Sequence, residues 1–161
     1  MKDAVQKDIV SFAFHPFGKS SRPVRAVVPH INGVPLIQLI DEFERAKKFE
    51  PVGGYGGLIP ELFEYGPLEK YFFGEFDSGS YWSSLGGVYV LGCECGEVGC
   101  WPLQCRIGAH GDDVIWNEFC QPHRKTRDYS GFGPFVFDGA QYREALVKLI
   151  ANITEKPAVS S

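Results

Sequence analysis

The segment between residues 88 and 119 constrains the fold most, because its apolar residues alternate with polar ones in short runs. A period of two is the spacing of side chains on one face of a strand, so strands are predicted at Val88–Cys95, Trp101–Ile107 and Val114–Phe119. On the middle run one face carries Trp101, Leu103, Cys105 and Ile107. Short turns at Gly96–Gly99 and His110–Asp113 separate the runs, which predicts a central three-stranded antiparallel meander.

An N-terminal hairpin is predicted beside this meander. Strands are predicted at Ile9–His15 and Val24–Ile31, followed by the turn dipeptide Asn32-Gly33. Both residues of such a turn need positive φ, which Asn and Gly tolerate best. A further short extended segment is predicted at Phe135–Phe137.

Two principal helices are predicted, each from an apolar stripe at helical spacing. The first covers Pro35–Lys48, and its i,i+4 charge pairs Asp41/Arg45 and Glu44/Lys48 are expected on the solvent side. The second begins after Asp138, and Gln141 three residues later predicts a capping box. Its apolar stripe comprises Tyr142, Ala145, Leu146, Leu149, Ile150 and Ile153.

Residues 50–87 are rich in Gly and aromatic residues and predict a loop region. Gly53–Gly57 is expected to form a tight turn, neither helix nor strand, and short helices are expected at Pro60–Tyr65 and Pro67–Phe73. The fold class predicted is therefore α+β: a mainly antiparallel sheet, two principal helices and this loop region. One domain is expected over residues 1–155, with a flexible tail at 156–161.

Composition excludes several classes of function. The chain has 161 residues, with 16 Lys+Arg against 20 Asp+Glu and a net charge of −4. A nucleic-acid-binding domain would carry a basic excess, so no nucleic-acid partner is expected. Neither a membrane-spanning run nor a secretory signal is present in the sequence, so no membrane association is expected. We therefore expect a cytoplasmic protein.

Five cysteines are present, and four of them lie between residues 93 and 105. Residues i and i+2 of a strand share a face, so Cys93 and Cys95 can converge, and a turn can return Cys100 to them. Three thiolates, completed by His123, Cys105 or Cys120, would form a tetrahedral zinc site. Burial of the cysteines as small core residues is the alternative, and it is favoured for Cys105 by its apolar face.

The cysteines also suggest two catalytic roles, a redox pair and a nucleophile. A C-x-C pair differs from the C-x-x-C of thioredoxin-like redox proteins, and nearby Glu94 and Glu97 would raise a thiol pKa. Cys120 and His123, three residues apart, form a candidate nucleophile–base pair. Because no complete catalytic constellation can be recognised, the sequence does not predict an enzyme.

A protein-binding surface is the preferred functional hypothesis, since aromatic residues and arginine are enriched in interface hot spots. By analogy, such a protein would bind its partner as bacterial immunity or accessory proteins do. The expected partner contacts are Tyr55, Tyr71, Phe73, Tyr81, Trp82, Arg124 and Arg127.

The hairpin sequence also resembles a family of bacterial proteins of uncharacterised function. The likeness rests on the run Leu91–Leu103, with its C-x-C-G-x-x-G-C-W-P-L pattern, and on Val114–Phe119 with its W-x-x-F. It continues in Gln121–Arg124 and in the segment Asp128–Phe135. The resemblance covers most of the chain and implies a small bacterial protein, without implying an activity or a ligand.

Overall fold

The structure is a computed structural model that describes residues 7–17, 24–60, 65, 67–75, 87–95 and 100–154. In chain order the elements are β1 (Val10–Phe17), β2 (Val24–Ile31), β3 (Val34–Pro35), α1 (Leu36–Ala46), β4 (Tyr55–Gly56), α2 (Leu68–Tyr71), β5 (Val88–Cys93), β6 (Leu103–His110), β7 (Asp113–Cys120), β8 (Phe135–Asp138) and α3 (Gly139–Thr154). Residues 60–65, predicted as a short helix, lie largely outside the described residues, as do Tyr81, Trp82, the turn 96–99 and the tail 156–161.

Two antiparallel sheets confirm the predicted α+β class. One sheet has three strands in the order β1-β2-β3, and the other has five in the order β4-β5-β6-β7-β8. The predicted meander is the β5-β6-β7 centre of the larger sheet, extended by β4 on one side and β8 on the other. The predicted N-terminal hairpin is β1-β2, with Val10 opposite Ile31, and Asn32 and Gly33 have φ values of 55° and 81°.

The Gly53–Gly57 segment joins the two sheets, which corrects the prediction that it contains no strand. Tyr55 and Gly56 form β4 and pair with Cys93 and Gly92 of β5. Two residues later, Leu58 exchanges both backbone hydrogen bonds with Val27 of β2. A Cβ on Gly57 would lie 2.8 Å from Val27 O, so the segment needs glycine to run this close to a neighbouring strand.

The two principal helices pack their apolar stripes on the sheets, but each departs from one prediction. Asp138 Oδ2 accepts the Gln141 N–H at 3.1 Å, which confirms the N-cap. The Gln141 side chain does not close the capping box; it bonds both backbone groups of Val10 instead. In α1, Glu44 is fully buried, so its predicted solvent-side pairing with Lys48 is wrong.

Strand ends also shift from their predicted places. The strand predicted at Val88–Cys95 ends at Cys93, and the one predicted at Trp101–Ile107 runs from Leu103 to His110. In β6-β7, Gln104 pairs with Cys120 and Arg106 with Asn117. Cys105 of β6 therefore lies opposite two residues of β7, so the β6-β7 ladder contains a β-bulge at this point.

The core lies where both sheets meet α3, and it is largely aromatic. The Trp116 indole N–H donates to Tyr142 Oη at 2.9 Å, and the Tyr142 hydroxyl donates in turn to the Phe72 carbonyl. These bonds satisfy the polar ends of two fully buried aromatic side chains. Within the described residues, no helix has the length and apolar character needed to cross a bilayer.

Candidate metal centre

Three cysteine thiols converge at one end of the five-stranded sheet. The sulfur atoms of Cys93, Cys95 and Cys100 all lie within 4.8 Å of one another. Cys93 is the buried last residue of β5, whereas Cys95 and Cys100 are exposed. The backbone N–H of Cys95 points at Cys93 Sγ, 3.4 Å away, so the chain already turns around the Cys93 sulfur.

This arrangement can hold a metal ion. Zinc–sulfur bonds of about 2.3 Å in a tetrahedron place the sulfurs about 3.8 Å apart. The separations within 4.8 Å thus require side-chain movements of about 1 Å or less, which rotation of the two exposed side chains supplies. Three sulfurs occupy three positions of a tetrahedron, and the described residues add no fourth donor atom to the group.

Without a cation, the environment of Cys93 does not favour a reactive thiolate. Burial raises the pKa of Cys93 to about 12, and hydrogen bonds with the Cys95 and Cys100 thiols add to the shift. A nucleophilic or redox-active cysteine requires a lowered pKa. A bound cation reverses this balance, because it stabilises the thiolates directly.

The other proposed ligands lie elsewhere. His123 is exposed and does not belong to the group of donor atoms within 4.8 Å, to judge from the described part of the chain. Cys105 is buried in the core, as its apolar face predicts. Neither His123 nor Cys105 belongs to the group of donor atoms within 4.8 Å in the described part of the chain, and a fourth ligand from this chain stays a prediction.

Cys120 is half-buried, and its environment disfavours the thiolate form of its side chain. It lines an open surface cavity of about 470 Å³ together with Arg106 and Glu118. Burial, followed by the charge of Glu118, raises the pKa of the Cys120 thiol. A nucleophile–base pair of Cys120 and His123 would need a lowered thiol pKa, which these causes oppose, and the pair stays a prediction.

The Gly-rich segment positions the cysteines from the side of β4. Tyr55 lies opposite Cys93 in the β4-β5 ladder, and the Glu94 N–H donates to the Gly54 carbonyl at 2.9 Å. A Cβ on Gly56 would lie 2.9 Å from the Cys93 carbonyl oxygen. Glycine at position 56 thus permits the backbone contact that fixes the first two cysteines.

Trp101 positions the third cysteine. It follows Cys100 directly in the chain, and its indole N–H donates to the Gly53 carbonyl at 2.8 Å. The indole ring lies against Gly54, where a Cβ would be 3.5 Å from its Cδ1. Cys93, Cys95 and Cys100 are therefore all attached, within one residue, to the segment Gly53–Gly56.

A buried carboxylate holds this segment in place, and sequence reasoning missed it. Glu44 Oε1 accepts the Gly53 N–H at 2.8 Å, and Oε2 accepts the hydroxyls of Tyr55 and Tyr129, each at 2.6 Å. Arg127 Nη1 lies 3.3 Å from Oε2, with the Glu44 and Arg127 side chains 0% and 6% exposed. We call the side chains of Glu44, Tyr55, Tyr129 and Arg127 the Glu44 cluster.

The two tyrosine hydroxyls of the Glu44 cluster stay protonated. Burial, and then the hydrogen bond to Glu44, raise the pKa of both Tyr55 and Tyr129, so both hydroxyls remain donors. Arg127 also donates to the Pro51 carbonyl at 2.7 Å. Both ends of the 51–55 segment are thus fixed to one ion pair. The i,i+4 spacing of Glu44 and Lys48 gave no indication of a partner 83 residues away.

The structure corrects part of the predicted protein-binding surface. Tyr55 and Tyr71 are buried, and Arg127 is held in the Glu44 cluster, so these three cannot be exposed anchors. Tyr71 uses its hydroxyl to bond the backbone of Tyr89. Phe73 is half-buried and Arg124 is exposed.

Comparison of the chain with protein-family models, with curated proteins and with solved structures finds no match. The resemblance carried by the hairpin motif therefore stays a prediction. A function has to be inferred from the geometry of the metal centre itself.

Proposed function

We propose that this protein binds one zinc ion through the thiolates of Cys93, Cys95 and Cys100. The observation that carries the proposal is the approach of three sulfur atoms to within 4.8 Å of one another. All three are attached to the same segment, Gly53–Gly56, which lies far from them in the chain.

Zinc fits this donor set better than other common biological metals. Calcium and magnesium prefer oxygen ligands, whereas thiolates select zinc, copper(I) or iron–sulfur clusters. An iron–sulfur cluster commonly uses four cysteines, and here the other two are placed apart. Zinc accepts three protein ligands and an external fourth, which matches a centre with two exposed ligand residues.

A fourth position that no described residue fills favours a site that engages a ligand over a purely structural one. Structural zinc sites are closed by four protein ligands, while reactive sites keep one position for water or substrate. The chain's own contribution is to fix three donors and to leave one side exposed. The zinc would supply Lewis acidity there, and it would stabilise the thiolate form of each ligand.

The experiment is a comparison of five single serine variants under reducing conditions. Zinc per chain is measured by mass spectrometry after desalting, and the protected thiols are counted before and after a chelator is added. We expect about one zinc per chain in the native protein. Variants at Cys93, Cys95 and Cys100 should lose it, while the matched controls Cys105→Ser and Cys120→Ser should retain it.

Two results would contradict the proposal. One is native protein without zinc after reconstitution, with all thiols titrating at once. The other is an equal loss of zinc in all five variants that follows their loss of folding, measured by circular dichroism. In either case the cysteines would be core and surface residues without a metal.

Protein binding through an aromatic face stays a prediction, since Tyr81 and Trp82 lie outside the described residues. No described contact favours it over the metal site. A pull-down from a bacterial lysate with zinc-loaded and zinc-free protein would show whether any partner depends on the metal.

A further inference from the structure

Arg124 lies against the ring of Trp101, the residue that follows Cys100, and among the described residues it has no ion-pair partner. Its guanidinium carbon is 4.9 Å from the centre of the Trp101 ring. The ring is fixed by the Trp101–Gly53 hydrogen bond and follows Cys100 directly. Arg124 thus contacts the side chain of the residue directly after a cysteine of the centre.

The neighbouring Arg127 makes a different use of its charge. Its guanidinium also contacts the Trp101 ring, at 5.7 Å, but it forms the buried ion pair with Glu44. Arg124 is exposed, and its side-chain hydrogen bond is a 3.3 Å contact to the carbonyl of the adjacent His123. Within the described part of the chain, Arg124 has no carboxylate within 4 Å.

We propose that the metal centre takes a small anionic ligand, an inference that rests on the proposed function. A donor atom of the ligand fills the open position, and a carboxylate of the same molecule pairs with Arg124. A planar guanidinium held on an aromatic ring presents a fork of N–H donors that matches a carboxylate. Zinc with three thiolates carries a net charge of −1, so a second anion near it needs a nearby cation such as Arg124.

The charged residues described around the Trp101 ring leave Arg124 available for an anion, whereas Glu94 would repel one. Glu94, between two of the cysteines, is exposed and negative. The described positive groups near the Trp101 ring are the two arginines, and Arg127 is neutralised by Glu44. Arg124 is therefore the group that can receive a negative charge from solution on this face.

The test compares two thiols of equal length, mercaptoacetate and its neutral amide, mercaptoacetamide. Each thiol would give its proton to solvent and place its sulfur at the open position. The full chain is first loaded with Co²⁺, whose thiolate charge-transfer absorption reports each added sulfur. Binding constants are then measured for native protein, for Arg124→Gln, and for Lys125→Gln as a control with the same charge change in the same loop.

We expect native protein to bind mercaptoacetate about tenfold more tightly than the amide, the size of one partly exposed charge-assisted contact. Arg124→Gln should abolish this preference, and Lys125→Gln should retain it. Equal affinities in native protein would overturn the proposal, as would an unchanged preference in Arg124→Gln. Removal of Co²⁺ by the thiols, measured after desalting, would also count against an open position.

The two proposals fail in different ways. Absence of Co²⁺ uptake, seen before any thiol is added, would refute metal binding and with it this inference. Normal Co²⁺ uptake without a preference for the anion would refute the ligand class alone.

Discussion

Replacement of Glu44 by Gln should be the most destabilising single polar change in the described part of the chain. The new amide side chain would be buried in the same place, but it carries one acceptor and one donor. With its NH₂ at the Oε1 position, it would face the Gly53 N–H; with its NH₂ at the Oε2 position, it would face Arg127 and two tyrosine hydroxyls. Either orientation opposes donor to donor and leaves Arg127 uncompensated.

The size of the effect follows from burial. Removal of one partner of a buried ion pair costs ~3–5 kcal/mol. In a domain of this size 1 kcal/mol shifts the melting temperature by ~2–4 °C, so Glu44→Gln should lower it by about 6–20 °C. Removal of both charges should cost much less than the sum of the single changes, because no lone buried charge remains.

The assay is thermal and urea unfolding of Glu44→Gln, Arg127→Met and the double variant. Glu42→Gln is the matched control, since Glu42 is exposed on the same helix and accepts only the Gln38 side chain at 3.1 Å among its described contacts. It should change stability by no more than ~0.5 kcal/mol. A loss below ~1 kcal/mol in Glu44→Gln, or strict additivity in the double variant, would refute the role given to the Glu44 cluster.

Three further predictions concern backbone geometry and pH. Gly56→Ala should weaken zinc binding and stability, because its Cβ would lie 2.9 Å from the Cys93 carbonyl oxygen. Gly108→Ala is the control, since its Cβ would have nothing within 4 Å and should leave zinc binding unchanged. Equal zinc affinities of the two variants would count against this role of Gly56. Glu118 has a φ of 53° at the β-bulge, a conformation that glycine adopts without strain. Glu118→Gly should therefore be more stable than Glu118→Ala by ~1 kcal/mol and should unfold at a higher temperature. The reverse order of melting temperatures would be inconsistent with strain there. Burial, and then the charge of His15, lower the pKa of His30 below its ordinary 6.5. As the pH falls below 6.5, the unfolded chain takes up the proton more readily than the folded one, so stability is lost. His30→Gln should therefore reduce the difference in melting temperature between about pH 7.5 and about pH 5.5. An identical difference in native and variant protein would exclude His30 as its source.

Local patterns predicted much of the fold, because they depend on neighbours in the chain. Alternation located β5 to β7, and the Asp138 cap is a contact over three residues. The role of Gln141 could not be predicted this way, since its side chain leaves the helix to bond Val10, 131 residues away. The same limit hid β4: glycines at 56 and 57 are ambiguous until the strands on both sides of them are known.

In the candidate site, too, contacts between near neighbours in the chain were predicted and contacts between distant residues were not. The C-x-C spacing predicted the pairing of Cys93 with Cys95, and the turn predicted the return of Cys100. Spacing along the chain provided no reason to choose among His123, Cys105 and Cys120 as a fourth ligand, and the structure brings none of them to the cluster within its described residues. Glu44 was misassigned because helical spacing to Lys48 is visible in the sequence, while the approach of Arg127 depends on the whole fold.

The central claim is a zinc centre with three sulfur ligands from this chain and one open position. X-ray absorption at the zinc edge of the reconstituted full chain counts those ligands directly. We expect three sulfur atoms at about 2.3 Å and one lighter oxygen or nitrogen atom at about 2.0 Å. A shell of four sulfur atoms, or a shell of oxygen and nitrogen alone, would contradict it.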